Sequence, residues 1–122
     1  MTRNVAAFVM FASAMTAFID TDAKAATAEA NCSVKNINYM HDPAFGKQMN
    51  LICANNTVHI LYLANGGAPA GCPTADIETI KIYESLGQAA KLSGRTISVW
   101  YNSATCGGST YRSITSIELN GP

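Results

Sequence analysis

Two adjacent aromatic residues are the side chains of this sequence best suited to bind a partner. Trp100 and Tyr101 follow Ile97 and Val99, which alternate with polar residues. Because successive side chains of a strand point to opposite faces, one ring must point inward and the other outward. The parity of Ile97 and Val99 places Tyr101 inward or at the rim and Trp100 outward, where an indole can stack on the apolar face of a sugar. The alternative for Trp100 is burial beneath a loop or at a subunit interface.

The two histidines offer little for catalysis. His59 lies within an apolar stretch, where a hydrogen-bonded structural histidine is expected. His41 followed by Asp42 could form an acid–base pair, so a small secreted hydrolase that depends on His41 is one hypothesis. The sequence has no nucleophile at a recognisable spacing from this pair, and it lacks Gly-x-Ser-x-Gly, His-Glu-x-x-His and phosphate-loop motifs. We predict a protein that is not an enzyme and has no cofactor.

The cysteines predict disulfides. The sequence contains four, an even number, and none of them forms a Cys-x-x-Cys pair of the kind that binds zinc: Cys32, Cys53, Cys72 and Cys106. An even number of cysteines in a small exported domain is typical of a disulfide framework. We therefore predict two disulfides and no metal site.

The amino-terminal residues have the pattern of a secretory leader. A single basic residue, Arg3, precedes an uncharged apolar run over residues 5–19. A small-x-small site then ends at Ala25, and a second such site ends at Ala30. We predict a signal peptide over residues 1–25, with cleavage after Ala30 as second choice, and one secreted or periplasmic domain over residues 26–122.

The charge balance excludes some partners. Eight Lys and Arg residues balance eight Asp and Glu residues, and only 13% of all residues are charged. Nucleic acids and anionic lipid surfaces are bound largely through clustered positive charge. We therefore expect no nucleic-acid partner, and because no second long apolar run follows the leader, we expect no membrane insertion.

Hydrophobic periodicity predicts five strands and one helix. The strands are expected at residues 32–40, 48–53, 58–63, 95–102 and 113–119. The helix is expected over residues 76–93, because apolar side chains recur there every three or four positions. Thr74 or Asp76 can cap its start, and Gly94 can end it.

Two features weaken the helix prediction, and two loops complete the chain. Residues 79–83 also alternate as a strand would, and Gly87 is a poor helix former. Residues 64–73 and 103–110 are rich in turn residues and are expected to be loops.

Three strands, a helix and two strands is the order of an OB-fold, a small closed barrel. We therefore predict a β-rich α+β domain, a five-stranded OB-fold-like barrel with one helix between strands three and four. In that barrel the start of strand one lies beside the end of strand two. The order predicts the disulfides Cys32–Cys53 and Cys72–Cys106, one of three possible pairings.

Two segments resemble a family of bacterial proteins. Residues 89–102, Ala-Ala-Lys-Leu-Ser-Gly-Arg-Thr-Ile-Ser-Val-Trp-Tyr-Asn, resemble the helix end and following strand of subtilase-cytotoxin and pertussis-like toxin B subunits. Val-Trp-x-Asn within that segment and Ile-x-x-Ile-x-Leu-Asn over residues 114–120 are similar to the end of cholera-type B subunits. These families are exported, disulfide-bearing OB-folds that form rings of five and bind cell-surface glycans.

The resemblance implies a non-enzymatic, glycan-binding module and a possible homopentamer. The glycan-stacking aromatic would be Trp100 by the cholera-type match and Tyr101 by the subtilase-type match. The alternative is a periplasmic or secreted inhibitor or structural protein that binds another protein.

Overall fold

The computed structural model describes residues 26–121, so the predicted leader over residues 1–25 lies outside the described part of the chain. The described residues form six strands and one helix. In chain order these are β1 (Thr27–Asp42), β2 (Gly46–Cys53), β3 (Val58–Leu63), β4 (Thr74–Ala75), α1 (Ile77–Ser93), β5 (Thr96–Cys106) and β6 (Ser109–Leu119).

All six strands belong to one sheet with the order β2-β1-β5-β6-β3-β4. β2 stands at one end of this order beside β1, and it also pairs antiparallel with β3, near the other end. β3 runs parallel to β6 through only two residue pairs, at His59 and Ile60. The predicted β-rich α+β class with one helix is confirmed.

The core lies between the sheet and α1. Its largest fully buried apolar side chains come from β2, β5 and the helix: Met49, Leu51, Ile80, Ile97 and Val99. Alternation along β5 buries Ile97 and Val99 on the face that the sequence predicted. Burial of such apolar side chains contributes roughly 1.5–3 kcal/mol each, which makes this cluster the main source of stability.

The helix begins and ends where the capping residues predicted. Asp76 is the N-cap, and its carboxylate accepts a hydrogen bond of 2.8 Å from the backbone N–H of Thr79. Gly94 adopts the left-handed conformation at φ 72° and ends the helix. Gly87 is buried, and a Cβ atom there would lie 2.6 Å from Cδ1 of Ile37. The absence of a side chain at Gly87 therefore lets α1 approach β1 closely.

Both predicted disulfides are present, with the predicted pairing. Cys32–Cys53 links β1 to the end of β2, and Cys72–Cys106 links the loop after β3 to the end of β5. Both bridges are buried, with Cys32 and Cys53 each 1% exposed. Two disulfides indicate that the protein folds in an oxidising compartment.

Several predicted strands differ from the structure in their boundaries. β1 begins at Thr27 rather than at residue 32, because residues 27–29 pair with residues 99–101 of β5. β5 and β6 extend into the predicted loop and meet at Gly107 and Gly108, whose positive φ angles of 56° and 80° permit a two-residue turn.

The number of strands also differs, because β4 is a sixth strand where five were expected. It has only two residues and pairs with the end of β3, too short a segment to show periodicity in the sequence. No helix among residues 26–121 combines the length and the apolar character needed to cross a bilayer.

Candidate functional site

The outward face of β5 carries a half-exposed indole between small neighbours. Trp100 is 39% exposed, and its partners in the adjacent strands are Ala28 of β1 and Ser116 of β6. Residues that pair directly across strands point to the same face, and these two side chains are too small to cover the ring. We call this surface the Trp100 face; it comprises Ala28, Ser98, Trp100, Ser116 and Glu118.

Polar groups border the indole on one side. Ser98 precedes Trp100 by two residues on the same face of β5, and it pairs with the exposed Glu118. The Ser98 hydroxyl donates 2.9 Å to the carbonyl oxygen of Ala30, and the Asn120 amide donates to the same oxygen at 2.9 Å. These bonds fix the edge of the Trp100 face, while the Glu118 carboxylate stays accessible. An aromatic ring beside a free hydrogen-bond acceptor can bind a ring that has an apolar face and hydroxyl groups.

Tyr101 lies on the other side of the sheet, as the alternation predicted. Its ring centroid is 5.0 Å from that of His59, and the guanidinium of Arg112 lies 4.6 Å from the Tyr101 centroid. An arginine over a tyrosine ring is a favourable cation–π contact. The pairing of β5 with β6 shifts register between Trp100 and Tyr101, leaving Thr115 as an extra residue on β6.

Beneath Tyr101 lies a polar cluster that the sequence did not predict. The Nε2 atom of His59 is 2.7 Å from Oε1 of Glu29, and His59 is fully buried. Thr57 donates its hydroxyl to Oε1 at 2.8 Å, and Asn55 donates its amide to Oε2 at 3.0 Å. We call Glu29, Asn55, Thr57, His59, Tyr101 and Arg112 the Glu29–His59 cluster.

Burial, hydrogen bonds and nearby charge set the protonation states of Glu29 and His59. Burial acts to raise the pKa of the Glu29 carboxyl, but the hydrogen bonds from His59, Thr57 and Asn55 outweigh it and hold the pKa below its ordinary value. Burial, assisted by the positive charge of Arg112, lowers the pKa of His59 although Glu29 opposes this. At neutral pH a carboxylate therefore accepts the Nε2 proton of a neutral imidazole.

His59 has the hydrogen bond that the sequence predicted. His59 is a hydrogen-bonded structural histidine, but its Nδ1 atom is buried and has no hydrogen-bond partner among the described residues. His41 is exposed, and the Asp42 carboxylate accepts hydrogen bonds from the backbone N–H groups of Ala44 and Phe45. Asp42 thus stabilises the turn after β1, and the two side chains of the candidate acid–base pair are not brought into a shared pocket.

One group of side chains has the donor types of a metal site. Glu29, Cys53 and His59 place a carboxylate oxygen, a sulfur and an imidazole nitrogen within 4.8 Å of one another. In this structure the Cys53 sulfur is bonded to Cys32 and is not available as a thiolate. The two predicted disulfides therefore account for all four cysteine sulfurs.

Glu29 and Arg112 were missed for different reasons. Glu29 lies within the second candidate cleavage site, Ala28-Glu29-Ala30, outside every predicted strand. Arg112 is separated from Glu29 by 83 residues, and no local pattern connects them. The useful signal is at the start of β3, where Thr57, directly before the strand, and His59 within it are two residues apart and so share one side of an otherwise apolar segment.

Comparison with known proteins does not identify a family for this chain. No family model matches the chain, and no curated protein matches it.

Proposed function

We propose that this protein is an exported, non-enzymatic binding module that recognises a glycan through the Trp100 face. The observation that carries the proposal is the half-exposed indole, whose paired neighbours Ala28 and Ser116 are too small to cover it. An aromatic ring that is apolar and open on one side can stack on sugar C–H groups, and Glu118 can accept hydrogen bonds from sugar hydroxyls.

We propose that the six-stranded sheet closes into a barrel with the OB-fold topology. Pairings lead from β1 to β2, β3, β6 and β5 and return from β5 to β1. This sequence of neighbours, with α1 between β3 and β5, supports the OB-fold topology. Together with the resemblance at residues 89–102 and 114–120, it supports a relationship with toxin B subunits and assembly as a homopentamer. The mass of the native assembly tests the pentamer, and a monomer would contradict it.

A secreted or periplasmic location is part of the same proposal. The two buried disulfides require an oxidising compartment, and the leader-like residues 1–25 supply a route of export. Amino-terminal sequencing of protein recovered outside the cytoplasm tests both points.

Glycan binding can be tested with the intrinsic fluorescence of the protein, because Trp100 is its one tryptophan. A glycan array should first identify binders, and titration with a binder should then change the emission of Trp100. Trp100→Ala should lose array binding, whereas Tyr39→Ala, which removes an aromatic that is 41% exposed on β1, should retain it. Retention of binding by Trp100→Ala would contradict the proposed site, and loss in Tyr101→Ala alone would assign the stacking role to Tyr101.

The second candidate function is binding to another protein, as an inhibitor or structural component. The outer face of α1 favours it, because Ile82 is 58% exposed and Leu92 is 86% exposed. A groove of about 460 Å³ runs beside Lys81, Ile82 and Leu86. The test is inhibition of an exported hydrolase by the wild-type protein and by two variants. Loss of inhibition in Ile82→Asp, together with full inhibition by Trp100→Ala, would support this function over glycan binding.

A further inference from the structure

The Glu29–His59 cluster lies against the Cys32–Cys53 disulfide, and this contact suggests a second use for the same residues. We propose that reduction of this disulfide creates a zinc site formed by Cys32, Cys53, His59 and Glu29. Two thiolates, an imidazole and a carboxylate are all ligands that zinc accepts in tetrahedral sites. The site differs from the Trp100 face and does not depend on glycan binding.

The geometry is close to that of a tetrahedral site. With metal–ligand bonds of about 2.0–2.3 Å, the ligand atoms of zinc lie roughly 3.4–3.8 Å apart. Donor atoms of Glu29, Cys53 and His59 already lie within 4.8 Å of one another. Cys32 is held beside Cys53 with a Cα–Cα distance of 5.3 Å, so its released sulfur stays near the Cys53 sulfur. The two sulfurs, 2.06 Å apart in the disulfide, must separate by side-chain rotation to complete the site.

The surroundings balance the charge of a bound ion. Zinc with two thiolates and the Glu29 carboxylate carries one net negative charge, and the Arg112 guanidinium lies 3.5 Å from Glu29 Oε1. The complex with Arg112 is therefore neutral, which matters because an unbalanced charge is costly to bury. In the disulfide form Arg112 balances Glu29 alone, so both redox states of the cluster are neutral.

Hydrogen bonds already hold the Glu29 carboxylate in position. Thr57 and Asn55 donate hydrogen bonds to the two oxygens of Glu29 and orient its carboxylate. Partners of this kind fix the direction of metal ligands and strengthen binding. Arg112 is 39% exposed and Glu29 is 16% exposed, so the cluster opens to solvent on this side and an ion can enter there.

The redox chemistry balances with a trialkylphosphine as the reductant. The phosphine attacks one sulfur, the S–S bond breaks, and water supplies the phosphine-oxide oxygen and the protons of two thiols. Binding of Zn²⁺ then releases two thiol protons to solvent, while the imidazole stays neutral with its proton on the nitrogen that does not bind the metal. Two electrons pass from phosphorus to sulfur, and zinc keeps its charge.

The experiment uses cobalt and zinc with the reduced protein. The protein is unfolded, reduced with the phosphine, refolded without oxygen and titrated with Co²⁺. We expect the d–d bands of a tetrahedral thiolate complex at one equivalent, and displacement by one equivalent of Zn²⁺. Cys72→Ser/Cys106→Ser should show the same spectrum. The matched variant Cys32→Ser/Cys53→Ser retains the other thiol pair, which has no histidine or carboxylate ligand atom grouped with it among residues 26–121, and should not show it.

Ligand variants distinguish the four-residue site from a simple thiol pair. His59→Gln and Glu29→Gln should each weaken Co²⁺ binding by about tenfold or more. Equal cobalt binding by Cys32→Ser/Cys53→Ser, or unchanged affinity in His59→Gln, would overturn the proposal. If the reduced protein is unfolded without metal, Zn²⁺ should restore its β-sheet circular dichroism, and failure to restore it would also overturn the proposal.

Discussion

Glu29 supplies the partner of the most deeply buried polar side chain in the described part of the chain. His59 is 0% exposed, and its Nε2 atom bonds only to the Glu29 carboxylate. A buried polar group that loses its partner costs about 1–3 kcal/mol. The stability of the sheet therefore depends on an acidic residue near the amino terminus of the domain.

We predict that Glu29→Ala lowers the free energy of unfolding by about 1–3 kcal/mol, because it leaves His59 and Thr57 without their acceptor. Urea denaturation measures the change. Glu118→Ala, which removes an exposed carboxylate, serves as the control and should stay within about 0.5 kcal/mol of the wild type. Equal stability of the two variants would contradict the role of Glu29.

Gly87 shows how a residue that weakens a helix can strengthen the fold. Alanine at this position would favour the helix by about 0.5–1 kcal/mol, but its Cβ would lie 2.6 Å from Cδ1 of the buried Ile37. Overpacking of a core typically costs about 1–3 kcal/mol. The contact with Ile37 therefore outweighs the gain in helix propensity.

We predict that Gly87→Ala destabilises the protein by about 1 kcal/mol, whereas Ser85→Ala on the exposed side of α1 is neutral or stabilising. Ile37→Val removes the contacting methyl group, so the double variant should lose less than the sum of the single changes. Thermal or urea unfolding of the four proteins tests this. A stabilising Gly87→Ala would show that α1 does not need the close approach.

At the scale of elements, the start of α1 depends on a charged cap. The hydrogen bond from Thr79 holds the pKa of Asp76 below its ordinary value of 3.8. A carboxyl group with a depressed pKa in the folded state stabilises the protein while it is ionised, and this contribution is lost as the pH falls through the folded pKa.

We predict that the stability of the wild type falls on acidification below the ordinary pKa of Asp76. The stability of Asp76→Asn should fall less steeply, because an asparagine caps the helix without titrating. Asp76→Ala should be less stable than either protein at neutral pH. Melting temperatures measured from neutral to acidic pH provide the comparison. Identical pH profiles for wild type and Asp76→Asn would contradict the contribution of the cap.

The first residues of β1 are the second element with a measurable consequence. Thr27, Ala28 and Glu29 pair with β5, and Glu29 binds His59. Cleavage after Ala30 would remove all three residues, whereas cleavage after Ala25 preserves them. We predict that the exported protein begins at Ala26, as amino-terminal sequencing will show. A protein made to begin at Asn31 should unfold at a lower temperature, and an exported protein that begins at Asn31 would contradict the prediction.

At the scale of the whole molecule, the two disulfides close chain segments of similar size. Their sequence separations are 21 and 34 residues. Loop entropy favours the longer link by only about 0.4 kcal/mol. Location should therefore decide which bridge matters more, and Cys32–Cys53 lies in the main core beside the Glu29–His59 cluster.

We predict that Cys32→Ala/Cys53→Ala destabilises the protein more than Cys72→Ala/Cys106→Ala, with each loss about 2–5 kcal/mol. Urea midpoints of the two double variants test the order. The reverse order would show that the loop after β3, rather than the core, limits stability.

The parts of the fold that local patterns control were predictable. The helix caps at Asp76 and Gly94, the alternation of β5 and the even number of cysteines each follow from short-range chemistry. β1 before Cys32 was not predictable, because Thr-Ala-Glu-Ala-Asn has weak strand propensity and is extended only by its pairing with β5. The Glu29–His59 cluster was missed for the same reason, since its members meet only after the sheet has formed.

The pairing of β1 with β5 also sets the order of folding. β1 is synthesised first, yet its Ala30 carbonyl oxygen accepts hydrogen bonds from Ser98, 68 residues later in the chain, and from Asn120, 90 residues later. Contacts this distant in sequence slow folding to roughly milliseconds to seconds. The sheet therefore cannot be completed until β6 has been made, and until then the start of β1 lacks the partners that hold it in the folded protein.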